Sequence, residues 1–256
     1  LQPDQVCKLA SNENPWGPSA LAKRAAGEAL EQLHLYPDGS GHLLISQLAS
    51  HHSLQEDQFI LGNGSNEIIE LLGHVFLEPG DEVVCGEFAF VVYKLVALLM
   101  GAKPVEVEMP GLSHDLDTMR KAISEKTKLI FLPSPNNPTG TANSEAEIFE
   151  FVRSLPEHVI FCFDEAYAEY ATAPDFTSAL GWAREYPNVV VTRTFSKIHA
   201  LPGLRIGWAY GAPEIIEVIN RIRTPFNTNC AALAAATAAI GDVSYEQSIC
   251  EQNASE

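Results

Sequence analysis

Thr194-Phe-Ser-Lys197, with Arg205 following inside Gly203-Leu-Arg-Ile-Gly207, collects a primary amine, two hydroxyls and a fixed cation in one short stretch. A lysine directly after an apolar run (Val189 to Thr192) can form a Schiff base with a carbonyl, while hydroxyls and a guanidinium can hold a phosphate. A Ser-Lys dipeptide alone reads equally as a solvated loop, so other polar groups must decide. Gly62-Asn-Gly-Ser-Asn-Glu67 follows Phe59–Leu61 and opens a helical pattern. Its glycines permit close backbone approach, and free amides at a helix start favour an anion. A plain turn with Ser65 as N-cap would look the same. It is no dinucleotide fingerprint, since Glu67 stands where a third glycine belongs and no Walker lysine follows.

Two further stretches end apolar runs. Asn136-Asn-Pro-Thr-Gly140 follows Lys128–Leu132 and either serves as a turn or aims Asn137 into a crevice. Asp164 ends Val159–Phe163, a run so apolar that its carboxylate must find a partner or leave the core. Capping a helix is the alternative. Tyr167 adds a phenol three residues on. Taken together, these groups match the needs of pyridoxal phosphate. Lys197 carries the aldehyde as an imine, and Asp164 keeps the pyridine nitrogen protonated, making the ring an electron sink. Asn137 and Tyr167 hydrogen-bond the phenolic oxygen. Gly64, Ser65, Asn66, Thr194, Ser196 and Arg205 cradle the phosphate, and Phe90 stacks on the ring or is a core aromatic.

The elements that must position them alternate along the chain. Strands are expected at Phe59–Leu61, Glu82–Cys85, Pro104–Val107, Lys128–Leu132, Val159–Phe163, Val189–Thr192 and Ile206–Tyr210. Helical stretches include Ser65–Leu77, Val91–Met100, Leu116–Ser124 and Ser144–Ser154. The pattern implies an α/β fold with a doubly wound, mostly parallel sheet, whose ligands bind outside the carboxyl ends of the strands. Before it come a Pro/Asn/Gly-rich arm (Ser11 to Pro18) and a helix from Ser19, the N-cap, to Gln32, with Leu21, Ala25 and Leu30 on its apolar side. A turn-rich loop, Tyr36 to Gly41, leads to a helix over His42–His51.

With 256 residues, 46% of them apolar, the chain can bury a large core. A net charge of -17 disfavours nucleic acid and anionic membranes as partners, so any anionic ligand is gripped by local cations and amides. The five cysteines (Cys7, Cys85, Cys162, Cys230, Cys250) contain no CxxC pair and read as reduced residues of a cytoplasmic protein. No metal-ligand spacing stands out, and the apolar run Ala231 to Ile240 is too short for a bilayer. The chain begins at Leu1 and stops at Glu256 just as a polar stretch turns helical, so it is expected to be incomplete.

These motifs resemble fold-type I pyridoxal-phosphate aminotransferases, and within them the histidinol-phosphate aminotransferases. The matching stretches are Lys8 to Pro15, Tyr36-Pro-Asp-Gly39, Gly62 to Glu67, Ser134 to Gly140, Asp164 to Tyr167, Arg193 to Lys197, Gly203 to Gly207 and Arg223-Thr-Pro-Phe-Asn227. The resemblance implies a homodimer in which Tyr36 reaches the cofactor phosphate of the neighbouring subunit and Trp16 lies near the substrate. It divides the chain into an arm and start of a small domain (1–53), a large cofactor-binding domain (54–243) and the start of a linker helix (244–256). Pro202 stands where the family usually has a small residue. The family's substrate-binding arginine belongs to a C-terminal part that this chain lacks. The implied reaction moves an amino group from L-histidinol phosphate to 2-oxoglutarate in histidine biosynthesis, with the freed amine of Lys197 as general base. Aromatic amino-acid aminotransferases share the motifs. Threonine-phosphate decarboxylases share fold and cofactor. A cofactor-less scaffold is the reading from another class.

Overall fold

Seven apolar runs form one sheet in the structure, a computed structural model that describes residue 8 and residues 10–256. The strands are β1 (Phe59–Gly62), β2 (Glu82–Gly86), β3 (Lys103–Val107), β4 (Thr127–Pro133), β5 (Ile160–Asp164), β6 (Val189–Thr194) and β7 (Gly207–Gly211). Their order is β1-β7-β6-β5-β4-β2-β3. Strands β3, β2, β4, β5 and β6 pair in parallel. Strand β7 runs antiparallel to both β6 and β1, so β1 points the same way as the others. The carboxyl ends of β1, β4, β5 and β6 therefore lie on one edge.

The strands read as continuous apolar runs because helices cover both faces. On β4, Ile130 and Leu132 join one core with α2 (His42–His52), α5 (Leu116–Lys121), α6 (Glu145–Arg153) and α8 (Cys230–Ile240). Leu129 and Phe131 join the other, with α3 (Ser65–Phe76), α4 (Val92–Leu99) and α7 (Pro213–Ile222). Helix α6 starts with a capping box in which the Ser144 hydroxyl and the Glu147 carboxylate satisfy each other's backbone amides. Among the described residues no helix is long and apolar enough to cross a membrane. Cys85, Cys162, Cys230 and Cys250 are free thiols, and Cys7 lies outside the described residues.

One expected face is wrong. Helix α1 (Ala20–Ala29) begins at Ser19, whose hydroxyl accepts from the Ala22 amide at 3.1 Å, and passes into a 3-10 turn over Leu30–Gln32. It packs on α8, and the buried residue is Ala22, with Ala26 beside it; Leu21 and Leu30 are exposed. Two alanine-rich surfaces can approach closely, and this contact, not the leucines, decides the orientation. The chain closes with α9 (Val243–Ser255).

Strand β7 begins one residue later than its sequence pattern indicates, and that residue organises the sheet edge. Gly207 pairs with Gly62 of β1 on one side and Thr194 of β6 on the other. A Cβ there would stand 2.8 Å from the Gly64 carbonyl carbon and 2.9 Å from the Arg193 oxygen, both backbone atoms that cannot rotate away. Only glycine allows the loop after β1 to close against the end of β6. Gly207→Ala is expected to cost about 1–3 kcal/mol through overpacking, read as a lower urea midpoint at unchanged m-value.

Candidate active site

The loop after β1 presents backbone, not side chain. Gly64, at φ +77°, is the N-cap of α3 and provides no side-chain cap, so Ser65 is the first helical residue and not the cap. The spare amides of α3 are thus free to face an anion. Glu67 turns back to accept from the Asn63 amide at 2.6 Å, which holds the loop in place. The Arg205 guanidinium packs directly over Gly64, where any Cβ would collide with it. Arg205 itself sits at φ +55°, a conformation costly for a side chain of this size, and its Nη1 donates to the Pro202 carbonyl at 3.1 Å. Pro202 opens a 3-10 turn, so the residue that departs from the family pattern helps to fix the arginine.

At the end of β6, the Thr194 hydroxyl donates to the Ser196 hydroxyl at 2.9 Å and accepts from the Ser196 amide at 3.1 Å. Lys197 follows and donates from Nζ to the Asn12 carbonyl at 3.1 Å, with Nζ 5.2 Å from the centre of the Tyr167 ring. At the end of β4, Asn136 locks the turn by donating to the Phe88 carbonyl and the Thr139 hydroxyl. That leaves Asn137 facing inward. Its Oδ1 and the Tyr167 hydroxyl both accept from the Asn12 side chain, at 3.3 and 3.1 Å, so the two groups converge on one point.

Asp164 ends β5 at only 4% exposure. It caps no helix, since the chain continues into a 3-10 turn over Ala168–Tyr170. Its Oδ2 accepts from the Tyr93 hydroxyl at 2.7 Å, and its Oδ1 from the Ala166 amide at 3.2 Å. Burial pushes its pKa up, against the pull of the Tyr93 hydrogen bond. Among the described residues no cation forms an ion pair with it. A buried carboxylate in that state fits a protonated ring nitrogen.

Ser65, Asn66, Thr194, Ser196 and Arg205 line part of one cavity of about 240 Å³, and Phe90, Asn137, Asp164, Tyr167 and Lys197 line the rest. Phosphate donors and a carboxylate thus share one space with an amine, as the anchoring of pyridoxal phosphate requires. Phe90 is half-buried on the cavity wall, not lost in the core. Trp16 lines an adjoining cavity of about 490 Å³ that shares Asn137, Tyr167 and Lys197 with the first. Tyr36 lines neither; it is 83% exposed and stacks on Phe226 with ring centres 4.7 Å apart.

Several residues escaped the sequence reading. Asn12 gave no signal beyond its place in the arm, and Tyr93 gave none beyond its place in an apolar helical stretch. Glu165 and Arg193 form a buried ion pair: Arg193 Nε and Nη2 donate to Glu165 Oε2 at 2.9 and 2.7 Å, and Nη1 to Glu169 at 3.2 Å. They adjoin Asp164 and Thr194, and strand alternation sends their side chains to the opposite face. That alternation could have exposed them.

The sequence profile of "Aminotransferase class I and II" matches residues 4–255. A histidinol-phosphate aminotransferase of Anaeromyxobacter sp. is 49% identical over 94% of this chain and 66% of its own length. Another, from Mannheimia succiniciproducens, is 44% identical over 97% of this chain and 68% of its own. The chain therefore spans about two thirds of the length of these relatives. A crystal structure of histidinol-phosphate aminotransferase from Sinorhizobium meliloti, in complex with pyridoxal-5'-phosphate, superposes with a TM-score of 0.91 at 27% identity, covering 94% of this chain and 66% of that one. A mutant aspartate aminotransferase of Thermus thermophilus reaches 0.85 at 25% identity, covering 95% and 70%.

The ion pair behind the site carries more negative than positive charge. Burial, with Glu246 and Glu165 nearby, raises Glu169 from 4.5 to about 7 even though Arg193 opposes the rise. An acid whose folded pKa is raised contributes stability below its unfolded value and loses it as pH climbs through about 7. Glu169→Gln should therefore raise Tm relative to wild type more at pH 8 than at pH 5, as read by thermal unfolding across that range.

Proposed function

The chain belongs to the class I and II aminotransferase family, on the branch of the histidinol-phosphate aminotransferases, and we propose that it transfers an amino group from L-histidinol phosphate to 2-oxoglutarate, in histidine biosynthesis. The observation that carries the reading is the single cavity in which Lys197, Asp164 and the Arg205 anion grip face one another. The names of the curated relatives support the choice of donor.

Bound in this cavity, pyridoxal phosphate supplies an electron sink for the carbon that loses its proton. The chain does the rest. Arg205, Thr194, Ser196 and the amides of Ser65 and Asn66, after Gly64, hold the phosphate. Asp164 keeps a proton on the ring nitrogen. Asn137 and Tyr167 donate to the phenolic oxygen, and Phe90 covers a ring face. Lys197 would hold the cofactor's aldehyde carbon, and its free amine would move a proton from the substrate's α-carbon to the cofactor's C4′. Trp16 borders the substrate's side of Lys197.

The active unit in this reading is a cytoplasmic homodimer in which Tyr36 meets the neighbouring subunit's cofactor phosphate. An exposed apolar surface supports it: Leu35 and Leu43, exposed at 57% and 72%, line a cleft of about 510 Å³ together with Tyr36. Within one chain, residues 54–243 form the cofactor-binding domain between the arm and the linker helix.

Lys197→Ala should abolish the visible absorption of the lysine-bound cofactor and lower turnover by several orders of magnitude, of which general acid–base work alone accounts for about 10²–10⁴-fold; an unchanged spectrum would overturn the assignment. Donor profiling on the full-length protein, with 2-oxoglutarate as acceptor, should favour L-histidinol phosphate. A preference for phenylalanine would move the chain to aromatic amino acids and keep the transamination.

A further inference from the structure

Tyr93 plays no part in the reaction as set out above, yet its surroundings single it out. Its side chain is fully buried on α4. The ring stacks on Phe131 with centres 4.7 Å apart and planes 5° apart, and it meets Phe90 edge-on at 5.7 Å and 84°. Phenylalanine would fill that aromatic cluster equally well, without the cost of burying a hydroxyl. The hydroxyl's hydrogen bond goes to Asp164 Oδ2, at 2.7 Å. With the Ala166 amide on Oδ1, each carboxylate oxygen has one fixed donor, which sets the plane of the group while leaving lone pairs toward the cavity.

We propose that Tyr93 is a positioning residue that orients Asp164 toward the cofactor's ring nitrogen, keeps it charged, and seats Phe90 on the cavity wall. This rests on the reading that Asp164 meets that nitrogen. A hydrogen bond to a charged, buried acceptor is among the stronger ones, and without it the carboxylate loses both its orientation and part of the stabilisation of its charge. Tyr93 stays a donor at all ordinary pH values, because burial and then the Asp164 charge push its own pKa well above the usual phenol range. The sequence hid this role because Tyr93 sits in an apolar helical stretch, where an aromatic reads as core.

The test pairs Tyr93→Phe with two forms of the cofactor. Apoprotein is titrated with pyridoxal phosphate and with its 1-deaza analogue, in which the ring nitrogen is a carbon. Relative to wild type, Tyr93→Phe should bind pyridoxal phosphate about 10–100-fold more weakly, with a shifted visible band, and bind the analogue unchanged. Equal losses for both compounds, or no loss for either, would overturn the proposal, since a packing role cannot tell nitrogen from carbon. A cycle with Asp164→Asn adds a second readout: the penalty of Tyr93→Phe should disappear in that background, and a full penalty there would also overturn it. Wild-type protein that gives no band with pyridoxal phosphate would overturn the parent reading, and this proposal with it.

Discussion

The site is organised around the cost of ending a buried parallel strand in a carboxylate. Asp164 is only 4% exposed, and no neighbouring cation among the described residues neutralises it. An isolated charge in such a place is several kcal/mol too expensive unless hydrogen bonds or a ligand offset it. The protein supplies a phenol and an amide and leaves a cavity for the rest. Its neighbour Glu165 is as deeply buried, but faces the other way and is neutralised by Arg193. Adjacent residues thus meet opposite fates: one carboxylate is satisfied inside the protein, the other is left with bonding capacity toward a ligand. The first ties β5 to β6 beneath the site, and the second faces the cavity above.

The anion grip solves the opposite problem. A chain with a net charge of -17 repels phosphate at long range. Attraction must come from a few groups at short range, in a place where water screens them little. The local cost is visible in the backbone: Arg205 holds φ +55° and Gly64 φ +77°, so that guanidinium and amides can stack one over the other. Gly207 makes the arrangement possible by leaving room for three backbone segments to meet. Strain and crowding at this sheet edge are offset by the two large apolar cores that clamp the strands from either side.

The strands were legible because parallel strands buried on both faces need uninterrupted apolar runs, and the groups that end those runs were legible with them. Asp164, Asn137, Lys197 and Arg205 each stand out as a polar residue after an apolar stretch. Tyr93 and Asn12 do not. A buried phenol differs from a core phenylalanine only through its partner, 71 residues away in the chain, and the arm's asparagine acts through a turn without periodicity. The α1 face was misread for a related reason. Hydrophobicity points to Leu21 and Leu30, whereas close alanine packing on α8 depends on what the opposing helix offers, which only the tertiary structure reveals.

One motif makes sense only as a connection. Arg223 donates from Nη2 to the Gly39 carbonyl at 3.0 Å and from Nη1 to Asn227 Oδ1 at 2.6 Å. Asn227 in turn donates to the Leu61 carbonyl at 3.1 Å and to Glu67 Oε2 at 2.6 Å. That same Glu67 oxygen accepts the Asn63 amide in the anion loop. Phe226, held at φ +58°, lays its ring against both Tyr36 and Gly39. A continuous chain of contacts therefore runs from the loop that grips an anion to the turn that presents Tyr36 outward. A bulky residue in the left-handed region is unfavourable on its own and persists only where its surroundings over-determine it. Here they do, from both sides, so the placement of the exposed tyrosine and the shape of the anion loop are set by one piece of structure.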